Sequence, residues 1–165
     1  MGTTLLAYTA TDAAGLTTTA VQQVTVIDDT PPVLSTVALD KSVLSPADHR
    51  MVDVIVSYEA SDNCREVTSS IAVASDEPVD GIGDGRTSPD WEIVDAHQVR
   101  LRAERSGLGD GRVYAVAVTT VDAAGNHSTE TASVTVPHGG RRGSSIRSAI
   151  VELLNSLLRF LGLGS

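Results

Sequence analysis

Aromatic side chains are scarce in this sequence, at 3% of residues, so any core must be assembled from Val, Ile, Leu and Ala. That supply suits a β-sandwich whose inner faces alternate. Cysteine is nearly absent: Cys64 stands alone. No internal disulfide can form, which excludes the disulfide-dense secreted scaffolds and leaves secretion itself open. Positive charge is also short, with 12 Lys and Arg against 21 Asp and Glu and a net charge of −9. Phosphate backbones select for basic clusters, so nucleic acid is excluded as a partner. The acidity fits a soluble surface first and cation binding second. The opening MGTTLLAYTATD lacks the basic start and continuous apolar run of a signal peptide. Catalytic constellations are missing too. His49, His97, His127 and His138 fall in separate loops, there is no HExxH pair, and no Ser sits in a nucleophile elbow. No enzyme is expected.

What the chain does have is one hairpin written twice. Residues 6–26 read LAYTATDAAGLTTTAVQQVTV and residues 116–136 read VAVTTVDAAGNHSTETASVTV. An offset of 110 sets Thr9 on Thr119, Asp12 on Asp122, Gly15 on Gly125, Val24 on Val134 and Val26 on Val136. A period of about a hundred residues in strand-rich sequence implies tandem β-sandwich modules.

The organisation follows from that repeat. Residues 1–29 read as the closing hairpin of a preceding module, with strands Thr3–Ala10 and Thr17–Ile27 around a turn in which Gly15 takes positive φ. Residues 30–32 are a stiff linker, since two prolines cannot continue a ladder. Residues 33–137 read as one complete sandwich of about seven strands: Val33–Leu39, Asp53–Ala60, Val67–Ala74, Trp91–Val94, Val99–Glu104, Arg112–Val121 and Thr129–Val136. Pro78–Asp90 is a Gly- and Asp-rich surface loop, and the GLGDG run at 107–111 is expected to be a hairpin turn because it lacks the Lys and following helix of a phosphate loop.

Residues 138–143 form a second linker, and 144–162 carry the chain's strong helical pattern. Ile146, Ile150, Leu153, Leu154, Leu157, Leu158 and Leu161 repeat at helical spacing, with Ser144 or Ser145 to cap the start and Gly162 to end it. So wide an apolar face needs a partner. It has three readings: docking on the N-terminal hairpin within or between chains, helix-to-helix self-association, or binding a membrane surface. The first two are preferred. A membrane span is excluded by Arg147, Glu152, Asn155 and Arg159.

Among candidate ligands, Asp80, Asp84 and Asp90 in the Gly-Asp loop resemble a calcium loop, which supplies carboxylate and carbonyl oxygens from a tight turn. Ile82 stands where an oxygen ligand belongs, and Trp91 falls at the twelfth position. Calcium is therefore a candidate cofactor, not a required one. Asp12 and Asp122 read first as Asx-turn residues bonding their own turn amides, and second as inter-module calcium ligands with Asp28 and Asp29. Cys64 reads as a small buried core residue and Trp91 as a core anchor in preference to a sugar platform.

Taken in order, Ala60-Ser-Asp-Asn-Cys64, Leu101-Arg-Ala-Glu-Arg-Ser-Gly107, Gly111-Arg-Val-Tyr114, Val121-Asp-Ala-Ala-Gly-Asn126 and Val134-Thr-Val-Pro137 resemble the Ig-like modules of secreted and cell-surface bacterial proteins, similar to hyalin-repeat domains. The resemblance spans about residues 3–137. Hyalin-type repeats carry paired cysteines, and their disulfide does not transfer to a chain with Cys64 alone. The resemblance implies a non-catalytic extracellular or cell-surface spacer or adhesion module; the helix has no counterpart in that pattern, and self-association or docking is expected from its own apolar face. A cell-surface or polysaccharide ligand is a candidate partner. The alternative is a calcium-dependent carbohydrate- or ligand-binding accessory module of a secreted enzyme.

Overall fold

A computed structural model describes residues 2–64, 66–79, 83, 85 and 87–138. The chain is mainly β, and no helix lies among the described residues. Eleven strands run in order: β1 (Gly2–Thr11), β2 (Thr17–Val26), β3 (Val33–Leu34), β4 (Ala38–Leu39), β5 (Met51–Ser57), β6 (Ala60–Ser61), β7 (Thr68–Ser75), β8 (Trp91–Asp95), β9 (Gln98–Arg102), β10 (Gly111–Val121) and β11 (His127–Pro137). All pairings between them are antiparallel.

Two larger sheets, ordered β4-β5-β9-β8 and β11-β10-β7, hold one core between them in a sandwich-like arrangement. Alternation builds it. Val54 and Val56 of β5 and Val99 and Leu101 of β9 turn inward, while Asp53, Ile55 and Arg100 face out. Ile71, Val73, Tyr114, Val116, Val118, Val134 and Val136 come from the other sheet. At about 25 cal/mol per Å² of apolar surface removed from water, each buried valine stabilises the fold by roughly 1.5–3 kcal/mol. β10 is buried on both faces because it lies between β7 and β11 and carries small alanines on its second face.

Several expectations need correction. The single strand expected over Val33–Leu39 is two short pieces. β3 pairs with β6 and β4 with β5, so the chain changes partner at Ser35–Val37. There the Ser35 hydroxyl accepts the Glu59 amide at 2.9 Å, and Val37 drops into the core. The strand expected through Asp53–Ala60 stops at Ser57. Tyr58 breaks it by stacking on His97 at 4.6 Å and donating its hydroxyl to the Ala96 carbonyl at 2.9 Å. GLGDG is not a hairpin turn: it belongs to the connection from β9 in one sheet to β10 in the other. Cys64 is exposed and not a core residue.

The two hairpins repeat as structures. Thr4 pairs with Val24 and Tyr114 with Val134, so the register of β1–β2 is that of β10–β11 moved by 110 residues. The turns match bond for bond. Asp12 Oδ1 accepts the amides of Ala14 and Leu16, both at 2.9 Å, and Asp122 Oδ1 accepts those of Ala124 and Asn126 at 2.8 and 2.9 Å. Gly15 and Gly125 take φ of 83° and 94°, a region that favours glycine. Burial separates the copies: every residue of β1 and β2 is exposed, whereas Arg112 to Thr120 are buried. At the linker, Asn126 Nδ2 donates to the Asp28 carbonyl at 3.2 Å and the Ser128 hydroxyl donates to the Pro32 carbonyl at 2.6 Å. The helix expected over 144–162 lies outside the described residues.

Candidate functional site

The chain's concentration of buried charge gathers on Arg112, at the start of β10. Arg112 follows Gly111, whose φ is 121° and where a Cβ would sit 2.7 Å from the Val136 carbonyl oxygen, so no side chain fits. Strand parity then puts Arg112 on the inner face with Tyr114, Val116 and Val118, where its side chain has no solvent exposure.

Four segments supply its partners. Arg112 Nη1 donates to Asp90 Oδ2 at 2.6 Å and to the Tyr114 hydroxyl at 3.1 Å. Its Nε donates to Glu77 Oε2 at 3.2 Å, and Nη2 to the Pro78 carbonyl at 3.4 Å. Glu104 Oε1 lies 3.6 Å from Nη1. Tyr114 passes the network on by donating to the Arg102 carbonyl at 2.9 Å. Arg102 in turn grips the carbonyls of Pro89, at 2.7 and 2.9 Å, and of His49, at 2.9 Å. The other oxygen of Glu104 contacts the Thr87 hydroxyl and, at 3.1 Å, His49 Nδ1. His49 has a φ of 65°, and Gly85 lies so close that a Cβ there would sit 2.8 Å from the imidazole. The network thus ties the loop after β7 to the strands beneath it.

Three carboxyl groups therefore face one guanidinium. Asp90 and Glu104 have fully buried side chains, and Asp90 Oδ1 and Glu104 Oε1 have no hydrogen-bond partner as carboxylate acceptors. Burial raises the Asp90 pKa; Arg112 opposes the rise, while the charge of nearby Glu104 adds to it. Burial also works against the Arg112 charge, but Tyr114, Asp90 and Glu77 outweigh it and hold the guanidinium above its ordinary value. The Tyr114 hydroxyl is pushed up to about 12 by burial, with Arg112 opposing. The arrangement can lock a loop.

A second cluster sits at the linker. One ligand atom each from Asp28, Asp62 and Cys64 lie within 4.8 Å of one another, the one such group among the described residues. A hydrogen bond to Asp28 raises the Cys64 thiol pKa, with burial and the Asp28 and Asp62 charges adding to it. Asp28 accepts the Thr30 amide at 3.2 Å and Asp62 accepts the Cys64 amide at 2.9 Å, so both carboxylates also organise their own turns.

The residues singled out from sequence are distributed as follows. Asp90 points into the Arg112 network, with its carboxylate taken up by a guanidinium. Asp80 and Asp84 lie outside the described residues, as do Ile146, Ile150, Leu153, Leu154, Leu157, Leu158 and Leu161. Trp91 is half-buried against the core and meets Tyr114 edge-on at 6.4 Å, as a core anchor should. Asp122 makes the expected turn bonds and uses its second oxygen on the Asn126 amide group at 2.8 Å. Sequence reading missed Arg112. The available signal was parity, because a charged residue shares the inner-face phase of Tyr114, Val116 and Val118.

No family model matches the chain, and no curated protein matches it.

Proposed function

We propose that this chain is part of a tandem array of Ig-like, hyalin-repeat-like β-sandwich modules, and that its work is structural: spacing or assembling an extracellular or cell-surface protein without catalysis. The observation that carries this reading is the repeated hairpin, matched in register and in the Asp-to-amide turn bonds at an offset of 110 residues. Two sheets closing on one core support the Ig-like assignment. The buried acids support a structural role, since they converge on Arg112 and brace a loop. In this reading residues 2–26 close one module and residues 33–137 form the next. The apolar repeat in the sequence of residues 144–162 serves association in this reading.

The test is a chimera in which residues 33–115 are joined directly to residues 6–138. Leu6, Tyr8, Val24 and Val26 then stand where Val116, Val118, Val134 and Val136 stand in the second module. Slow amide exchange in both hairpins and two cooperative folding units are expected. Fast exchange through residues 6–26 beside a protected second module would refute the tandem reading.

A further inference from the structure

The repeated hairpin is covered in one copy and bare in the other, and the covered copy specifies what the bare one lacks. β10 uses one edge for β11 and the other for β7, through eight antiparallel pairs from Tyr114–Ser75 to Val121–Thr68. β1 uses one edge for β2, and no strand among the described residues lies on the other. Val116, Val118, Val134 and Val136 are fully buried, whereas their counterparts Leu6, Tyr8, Val24 and Val26 are 41%, 54%, 36% and 63% exposed.

The bare edge also lacks every feature that keeps strand edges from pairing. Proteins blunt such edges with charge, proline or a bulge. β1 and β2 contain no charged residue and no proline across twenty positions, and their ten pairs run without a bulge. Elsewhere the chain does protect an edge: β8 carries Glu92 and Asp95 and has a register shift between Ile93 and Asp95. β7 is as free of charge as β1, but it is paired with β10 and is also in contact with β8 of the other sheet.

We propose that the β1 edge is a strand-acceptor. It takes an antiparallel, uncharged strand of the β7 type, with Thr4 to Thr11 in the places of Tyr114 to Val121. The inference rests on the tandem reading for the source of that strand, which is the sandwich of the preceding module. Differences between the copies set its preference. Thr120 shares a 2.9 Å hydroxyl bond with Ser69, and Ala10 has no hydroxyl to offer, so the fitting strand needs no Ser at that point. Tyr8 replaces Val118 opposite Ile71, so the aliphatic residue of the fitting strand meets an aromatic ring there in place of Val. Main-chain hydrogen bonds supply the affinity and these two positions the selectivity.

The probe is the peptide Thr-Ser-Ser-Ile-Ala-Val-Ala-Ser, the sequence of β7, added to the full chain while amide exchange is followed by NMR. A control peptide replaces its Val with Pro. To raise the effective concentration, the same eight residues are also fused ahead of residue 1 through a Gly-Ser linker. The β7 sequence is expected to slow alternate amides of β1 by at least about tenfold, with the proline version inert. No slowing with the fused strand overturns the proposal. So does edge protection in the free chain that grows with protein concentration, which gives the edge to a second copy. Protection that vanishes when the chain is cut after Pro137 gives it to residues 138–165 and overturns the proposal as well. If the chimera buries Tyr8 while the fused strand fails, this inference falls and the tandem reading stands. If both fail, both fall.

Discussion

Arg112 is the residue on which most of the buried polar chemistry depends. Its side chain has no exposure and takes Asp90, Glu77 and Glu104 as neighbours. Replacing one partner of a buried ion pair strands the other charge, at a cost of about 3–5 kcal/mol. Arg112→Met is therefore expected to lower the urea midpoint sharply, and Arg112→Met with Asp90→Asn to recover part of the loss. Equal losses in the single and double variants would show that Asp90 is not the stranded group. Asp90 also carries a pH signature. Its pKa is raised in the folded state, so the folded chain binds a proton that the unfolded chain releases. Stability from this group falls as pH climbs from the ordinary carboxyl value, near 3.9, to the raised folded value. Asp76, raised chiefly by burial, contributes with the same sign. Asp40 and Asp122 have lowered values and act oppositely, losing their contribution only as pH falls below the ordinary range. Asp90→Asn should flatten the decline of urea midpoints above about pH 4. An unchanged slope would place the bound proton elsewhere.

At the scale of elements, the two Asp-Ala-Ala-Gly turns form a natural experiment. Both aspartates accept the same two turn amides, but Asp122 belongs to a hairpin packed in the core and Asp12 to one that is exposed throughout. Asp122→Ala should lower the main thermal transition, because it removes acceptors for the Ala124 and Asn126 amides and for the Asn126 side chain that reaches the Asp28 carbonyl. Asp12→Ala should leave that transition in place. Equal effects in a paired melting experiment would mean that the hairpins share one cooperative unit. The turns were legible in sequence because the bonds of each Asp to its own turn span four residues or fewer. The split of Val33–Leu39 was not legible, because it depends on Ser35 meeting Glu59 and on β4 finding β5.

For the whole molecule, the proposal that the segment beyond Pro137 mediates association is tested by solution mass. The intact chain is expected to be oligomeric and a chain cut after Pro137 monomeric. Two monomers, with the cut chain melting lower, would instead make residues 138–165 a lid on their own chain. What the sequence by itself determined was local and periodic: alternation made the strands, Asp and Gly made the turns, and a repeat at 110 residues set two hairpins in one register. These follow from near-neighbour sterics and short-range hydrogen bonds, which act before any distant contact forms. Only the tertiary structure decided that Glu77, Asp90 and Glu104 meet at Arg112, that GLGDG crosses between sheets, and that Cys64 faces outward beside Asp28. The reason is physical. Which buried charges share a guanidinium, and which strand edge is filled, depend on how segments many residues apart close over one core, and no local pattern records that closure.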